Sequence, residues 1–225
     1  TTASNNVAVG YAALGANTTG TRNVAMGAYT LDAHTTANDN TGLGYAALSA
    51  VTTGAANTAV GAEALLSNTA SNNTAVGSDA LRANTTGASN VAVGGASLDA
   101  NTTGANNVGV GYASLGSNTT ASNNTAVGVG AMDSNTTGAS NVALGANALD
   151  ANTTASNNTA VGFDALTANT TGSTNTSIGM NTLAANTTGS DNTALGVSAL
   201  ANNTTASNNT AVGRQCIEFN TTGTS

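Results

Sequence analysis

Lysine, proline and tryptophan are missing from these 225 residues, and cysteine and histidine occur once each. Each shortage excludes something. With three arginines, no lysine and a net charge of −7, the chain lacks the clustered cations that bind phosphate backbones, so nucleic acid is excluded as a partner. Cys216 has no second cysteine to pair with, so disulfides do not hold the fold and the redox compartment stays open. No apolar run reaches about 18 residues, so no transmembrane helix is expected in this stretch. Charged residues are 6% and aromatics 3%, against about 25% charged in an ordinary globular domain. Disorder fits poorly too, because 40% of the residues are apolar and disordered chains are normally charged and proline-rich. What remains is a regular repeat array whose copies bury one another.

The repeat is plain once sought. "SNNTAVG" stands letter for letter at Ser71 to Gly77, Ser122 to Gly128, Ser156 to Gly162 and Ser207 to Gly213. Alignment on Asn-(Thr/Val)-Ala-Val-Gly starts units at Asn6, Asn23, Asn40, Asn57, Asn73, Asn90, Asn107, Asn124, Asn141, Asn158, Asn175, Asn192 and Asn209. Every spacing is 17 except the 16 from Asn57 to Asn73, where "SNTASN" lacks one threonine. The consensus is N-T/V-A-V-G-x-x-A-L-x-A-N-T-T-G/A-x-N, and its positions are called slots 1 to 17 below. Residues 1–225 read as a single array, a window of a longer chain, with the last unit atypical at "RQCIEFN" (Arg214 to Asn220).

Each slot carries its own constraint. Slot 1 is Asn and slot 5 is Gly in every unit, slot 2 is Thr or Val, and slots 4 and 9 are aliphatic. All ten acidic residues fall in slots 7, 10 and 17, and the arginines in slots 6, 10 and 17. Unpaired charge avoids burial, so slots 6, 7, 10 and 17 face water. Seventeen residues are too few for a helix–turn–helix pair, since the shortest common helical repeats are about twice as long. They suffice for short strands and turns. Slots 1–5 read as one strand and slots 8–14 as a second, with slots 9, 11 and 13 on one face. A helical turn at "GAEALL" (Gly61 to Leu66) is a local rival, because Ala, Glu and Leu favour helix.

Each unit is then one coil of an all-β parallel solenoid, about 4.8 Å from the next, with slot 1 asparagines forming a ladder along the stack. Thirteen coils would extend roughly 60 Å at that rise. Neither face of the first strand ever carries a charge. A strand buried on both faces needs a partner beyond its own coil, which points to side-by-side association of chains.

"NVAVGYAALGA" (Asn6 to Ala16), "NVALGANALDA" (Asn141 to Ala151) and "NTAVGFDALTA" (Asn158 to Ala168) resemble the head repeats of trimeric autotransporter adhesins, and similar repeats occur in viral fibre proteins. The resemblance implies a left-handed parallel β-roll of three chains, with the N-x-A-I-G strand inward. Family units are about three residues shorter, and the extra length here falls around "NTTG".

No catalytic constellation breaks the pattern. His34 reads as a surface replacement for the slot 12 asparagine, Cys216 as a small buried thiol in slot 8, and the carboxylates are scattered, so no enzyme, cofactor or metal is expected. "NTT" begins at Asn17, Asn84, Asn101, Asn118, Asn135, Asn152, Asn169, Asn186, Asn203 and Asn220, each an N-x-T acceptor and hence a candidate glycosylation site on the surface. The alternative is structural, since Asn and Thr suit turns and ladders. The expected function is a non-enzymatic extracellular fibre, the shaft or head of a surface adhesin or filament. It would be a homo-oligomer, trimer favoured, with a host surface or glycan as ligand. A viral tail fibre is the alternative. An ice-binding solenoid, prompted by the threonines of slots 13 and 14, stands behind both.

Overall fold

The computed structural model describes residues 2–221. Among the described residues it is all-β, with one three-residue strand in each coil and thirteen strands. The chain divides into two units. Unit 1, Thr1–Tyr112, holds β1 (Val7–Val9), β2 (Val24–Met26), β3 (Thr41–Leu43), β4 (Thr58–Val60), β5 (Thr74–Val76), β6 (Val91–Val93) and β7 (Val108–Val110). Unit 2, Ala113–Ser225, holds β8 (Thr125–Val127), β9 (Val142–Leu144), β10 (Thr159–Val161), β11 (Thr176–Ile178), β12 (Thr193–Leu195) and β13 (Thr210–Val212). Within each unit the strands pair parallel in chain order and without slip, so that Thr74 faces Val91 and Val76 faces Val93. This is the parallel β-solenoid that the slots require.

Within each unit main-chain bonds tie a coil to its neighbours. In the fifth coil the Thr74 amide donates to the Asn90 carbonyl of the coil after it at 2.9 Å, and the Gly77 amide donates to the Val60 carbonyl of the coil before it at 2.8 Å. The glycine of slot 5 is obligatory. Its φ is +136° at Gly77, and a Cβ there would lie 2.5 Å from the Gly94 carbonyl oxygen. That is the close approach expected of an invariant glycine.

The second strand is not formed. Slots 6–11 are turns, and so is the stretch at Gly61 to Leu66, with no helix there. The reason lies in φ. Slot 7 (Glu63, Asp79), slot 9 (Leu65, Leu81) and slot 17 (Asn72, Ser89) all have φ between 53° and 63° in these coils, which neither a strand nor a right-handed helix permits. Even so, the turns bond along the stack as a sheet would. The Asp79 amide donates to the Ala62 carbonyl at 3.0 Å, Leu81 to Ser97 at 3.0 Å and Ala83 to Asp99 at 3.0 Å.

Placing Leu in the left-handed region costs about 1–2 kcal/mol. Full burial of its side chain returns about 1.5–3 kcal/mol, and Leu31, Leu48, Leu65, Leu81, Leu98, Leu149, Leu166, Leu183 and Leu200 are all fully buried. Burial therefore outweighs backbone strain. The interior is built from slots 1, 3, 8, 9, 12 and 15, whereas slots 11 and 13, expected inward with slot 9, stay half-buried or exposed. The 16-residue coil keeps that interior aligned. Its missing residue belongs to exposed slot 14, and Asn68 Nδ2 donates to the Ala70 carbonyl at 2.9 Å, two residues on, where other coils span three.

Candidate interaction surface

The coil closes on an asparagine seam. Within each unit a slot 1 amide donates to the side-chain Oδ1 of the slot 1 asparagine before it, as Asn90 does to Asn73 at 2.9 Å and Asn158 to Asn141 at 2.9 Å. The same side chain reaches across its own coil: Asn90 Nδ2 donates to the Gly104 carbonyl at 2.8 Å. The predicted ladder is present, and it also shuts the ring.

Slot 12 makes a second ladder. Asn152 Nδ2 donates to Asn135 Oδ1 at 2.8 Å and to the Ala155 carbonyl at 3.1 Å. Asn84, Asn101, Asn118, Asn135, Asn152, Asn169, Asn186 and Asn203 are fully buried, and Asn17 and Asn220 are half-buried. The NTT asparagines thus lie inside the coil rather than on its surface. Their Nδ2 atoms, where a glycan would be attached, are spent on hydrogen bonds, as in Asn169 (Asn152 Oδ1 at 3.1 Å, Gly172 carbonyl at 2.9 Å). A sugar there would have to break these bonds and open the ring. The last acceptor triplet, which begins at Asn220, ends outside the described residues.

The threonines that follow point outward, but not alike. Slot 13 hydroxyls donate to the next coil's main chain, Thr136 to the Thr153 carbonyl at 3.0 Å. Slot 14 threonines such as Thr137 and Thr154 are exposed.

His34 is fully buried, not a surface substitution. It keeps the slot 12 bond, Nε2 donating to the Ala37 carbonyl at 2.8 Å, while Nδ1 is buried without a partner. Burial lowers its pKa below the ordinary 6.5. Cys216 is half-buried. Asp133 and Asp150, one coil apart in slot 10, have raised pKa values because burial disfavours their charge; Asp150 is further raised by Asp133 and Asp164. Among the described residues no cluster of three His, Cys, Asp or Glu side chains could hold a metal ion, and no helix is long and apolar enough to cross a membrane.

The strands have an inner and an outer face. Slot 3 is fully buried as Ala59, Ala75, Ala92, Ala126, Ala143 and Ala160. Slots 2 and 4 point the other way, as alternation demands. Slot 4 is exposed at Val76, Val93, Val127, Leu144, Ile178 and Leu195. One face of the strand is therefore filled by its own coil, and the other is an uncharged aliphatic column open to solvent.

Beyond slot 5 lies a feature that the slot pattern missed. Tyr11, Tyr29 and Tyr45 are 73%, 40% and 55% exposed and meet edge to face, with ring centroids 5.4 and 6.0 Å apart. Slots 6 and 7 vary freely, so the consensus hides them. The available signal was that three of the four tyrosines fall in the first three units.

No family model matches the chain, and no curated protein or solved structure matches it.

Proposed function

We propose that this chain is a structural segment of an extracellular fibre, the shaft or head of an adhesin or surface filament, in which copies pack side by side through the outer strand face, three being favoured. The observation that carries the proposal is the outer column of slots 2 and 4: aliphatic or threonine, uncharged in every coil, and left uncovered by its own coil. Covering one such side chain is worth on the order of 1 kcal/mol. Association loses about 4–15 kcal/mol of freedom, so a single coil would not suffice and a stack of six or seven would. The resemblance to autotransporter heads agrees in placing the N-x-A-I-G strand at the shared interface.

Sedimentation velocity on the purified chain tests this. The expected species is an oligomer, with a mass of three chains favoured, and Val127→Lys with Val161→Lys should dissociate it while the β-type circular dichroism persists. A wild-type monomer at micromolar concentration would remove the association reading.

A further inference from the structure

We infer that the tyrosine strip of the first three coils is a binding site for an extended neutral oligosaccharide of the β-1,4-linked type, lying along the stacking direction. This deepens the adhesin reading, and its biological sense rests on that reading.

Three features of the strip select this occupant. The first is chemistry. An aromatic ring has an electron-rich face, which attracts the weakly positive C–H groups on the flat face of a pyranose, while the phenol hydroxyl bonds to sugar hydroxyls at the rim. Tyr11, Tyr29 and Tyr45 are all exposed and supply both in each side chain. The second is charge. The arginine of these coils, Arg22, is held by both carboxylate oxygens of Asp39, at 2.5 and 2.7 Å. Asp32 accepts from the Ser49 hydroxyl at 2.6 Å. An anionic sugar therefore finds no free cation among the described residues of these coils and meets the Asp32 carboxylate, which keeps its charge, so an uncharged sugar is favoured over an anionic one.

The third is geometry. The tyrosines stand in consecutive coils, and Tyr11 and Tyr45 occupy the same slot two coils apart, about 10 Å at the usual strand spacing, roughly the length of one disaccharide. Tyr29 stands between them in slot 7, so the strip runs along the stack, which suits an extended chain and not a helical one. Edge-to-face contact, with ring planes 77° and 84° apart, holds each ring against its neighbour, so little side-chain freedom is left to lose on binding. The later coils lack this site. Tyr112 has no aromatic neighbour within its unit, since slots 6 and 7 of the two coils before it hold Ser78, Asp79, Gly95 and Ala96.

Titration of the full chain with cellohexaose, followed by tyrosine fluorescence, tests the inference, with maltohexaose as the helical control. Tryptophan is absent, so the signal belongs to tyrosine alone. Cellohexaose should bind and maltohexaose should bind more weakly. Tyr11→Ala and Tyr45→Ala should each weaken cellohexaose by roughly three- to tenfold, while Tyr112→Ala should leave it unchanged. Slot 6 is alanine in other coils, at Ala28, Ala62 and Ala146, so these variants are expected to fold. Absence of cellohexaose binding overturns the proposal, as does equal loss on Tyr112→Ala. The sedimentation mass of each variant is read in the same samples. If Tyr11→Ala or Tyr45→Ala changes the mass instead of the titration, the strip belongs to the chain–chain interface and the proposal falls. A monomer that still binds cellohexaose would refute the association reading alone.

Discussion

At the scale of the residue, neighbouring coils adjust to one another atom by atom. Slot 3 is normally alanine, but the third coil has Gly42, and a Cβ there would lie 2.5 Å from Cγ2 of Thr30. Thr30 sits in slot 8 of the coil before, where alanine is commoner, and its hydroxyl donates to the Gly44 carbonyl at 2.6 Å. Its methyl group fills the space that the missing methyl leaves. Gly42→Ala alone should destabilise the chain by about 1–3 kcal/mol through overpacking. Adding Thr30→Ala should recover most of that, a coupling that a double-mutant cycle in urea would measure.

His34 gives a pH dependence. Its folded pKa is lowered from 6.5, so the neutral ring's contribution is complete above that value and is lost as pH falls toward the folded pKa. Thermal melts of the wild type should therefore drop between about pH 7 and pH 5 more steeply than those of His34→Asn, which restores the slot 12 side chain. Parallel profiles would show that the imidazole is not the source.

At the scale of the coil, inward and outward positions differ sharply in cost. Asn152→Ala removes partners from Asn135 Oδ1 and from Asn169 Nδ2, and should cost about 1–3 kcal/mol as buried polar groups lose their bonds. Exposed Thr154→Ala should stay within about 0.5 kcal/mol. Chemical denaturation of the pair separates the structural meaning of "NTT" from a surface one. Slot 7 makes a second contrast. Ala96 has φ +54°, and Gly130 holds the same slot at φ +65° in another coil. Ala96→Gly removes about 1–2 kcal/mol of strain and adds back about 0.4–1 kcal/mol of unfolded-chain entropy. It should raise the melting temperature slightly, against the usual direction of Ala→Gly. This conformation was not legible in the sequence. Leucine and alanine carry no mark of left-handed backbone, and the apolar periodicity that suggested a second strand reports burial, not the sign of φ.

At the scale of the whole molecule, the outer strand face should associate through apolar contact and not through charge. Its columns bear no ionic group. The oligomer mass measured by light scattering should therefore hold between about 0.1 and 1 M sodium chloride, where exposed ion pairs are screened, and a kosmotropic sulfate salt should strengthen it. Dissociation in high salt would assign the contact to charged side chains instead.

The sequence by itself determined the period, the unit boundaries, the parallel stacking and the ladder at slot 1, because a residue kept in one slot across stacked coils must meet the same surroundings each time. It also determined which slots face water, since charge settles only where solvent reaches. Tertiary structure decided what depends on closing the ring. Slot 12 turned inward, so the NTT asparagines and His34 became interior groups, because the slot 15 carbonyl needs donors from both sides of the seam. The charge-free strand was divided into a filled face and an open one, because a coil of this size has room inside for the alanines of slot 3 and none for the side chains of slots 2 and 4.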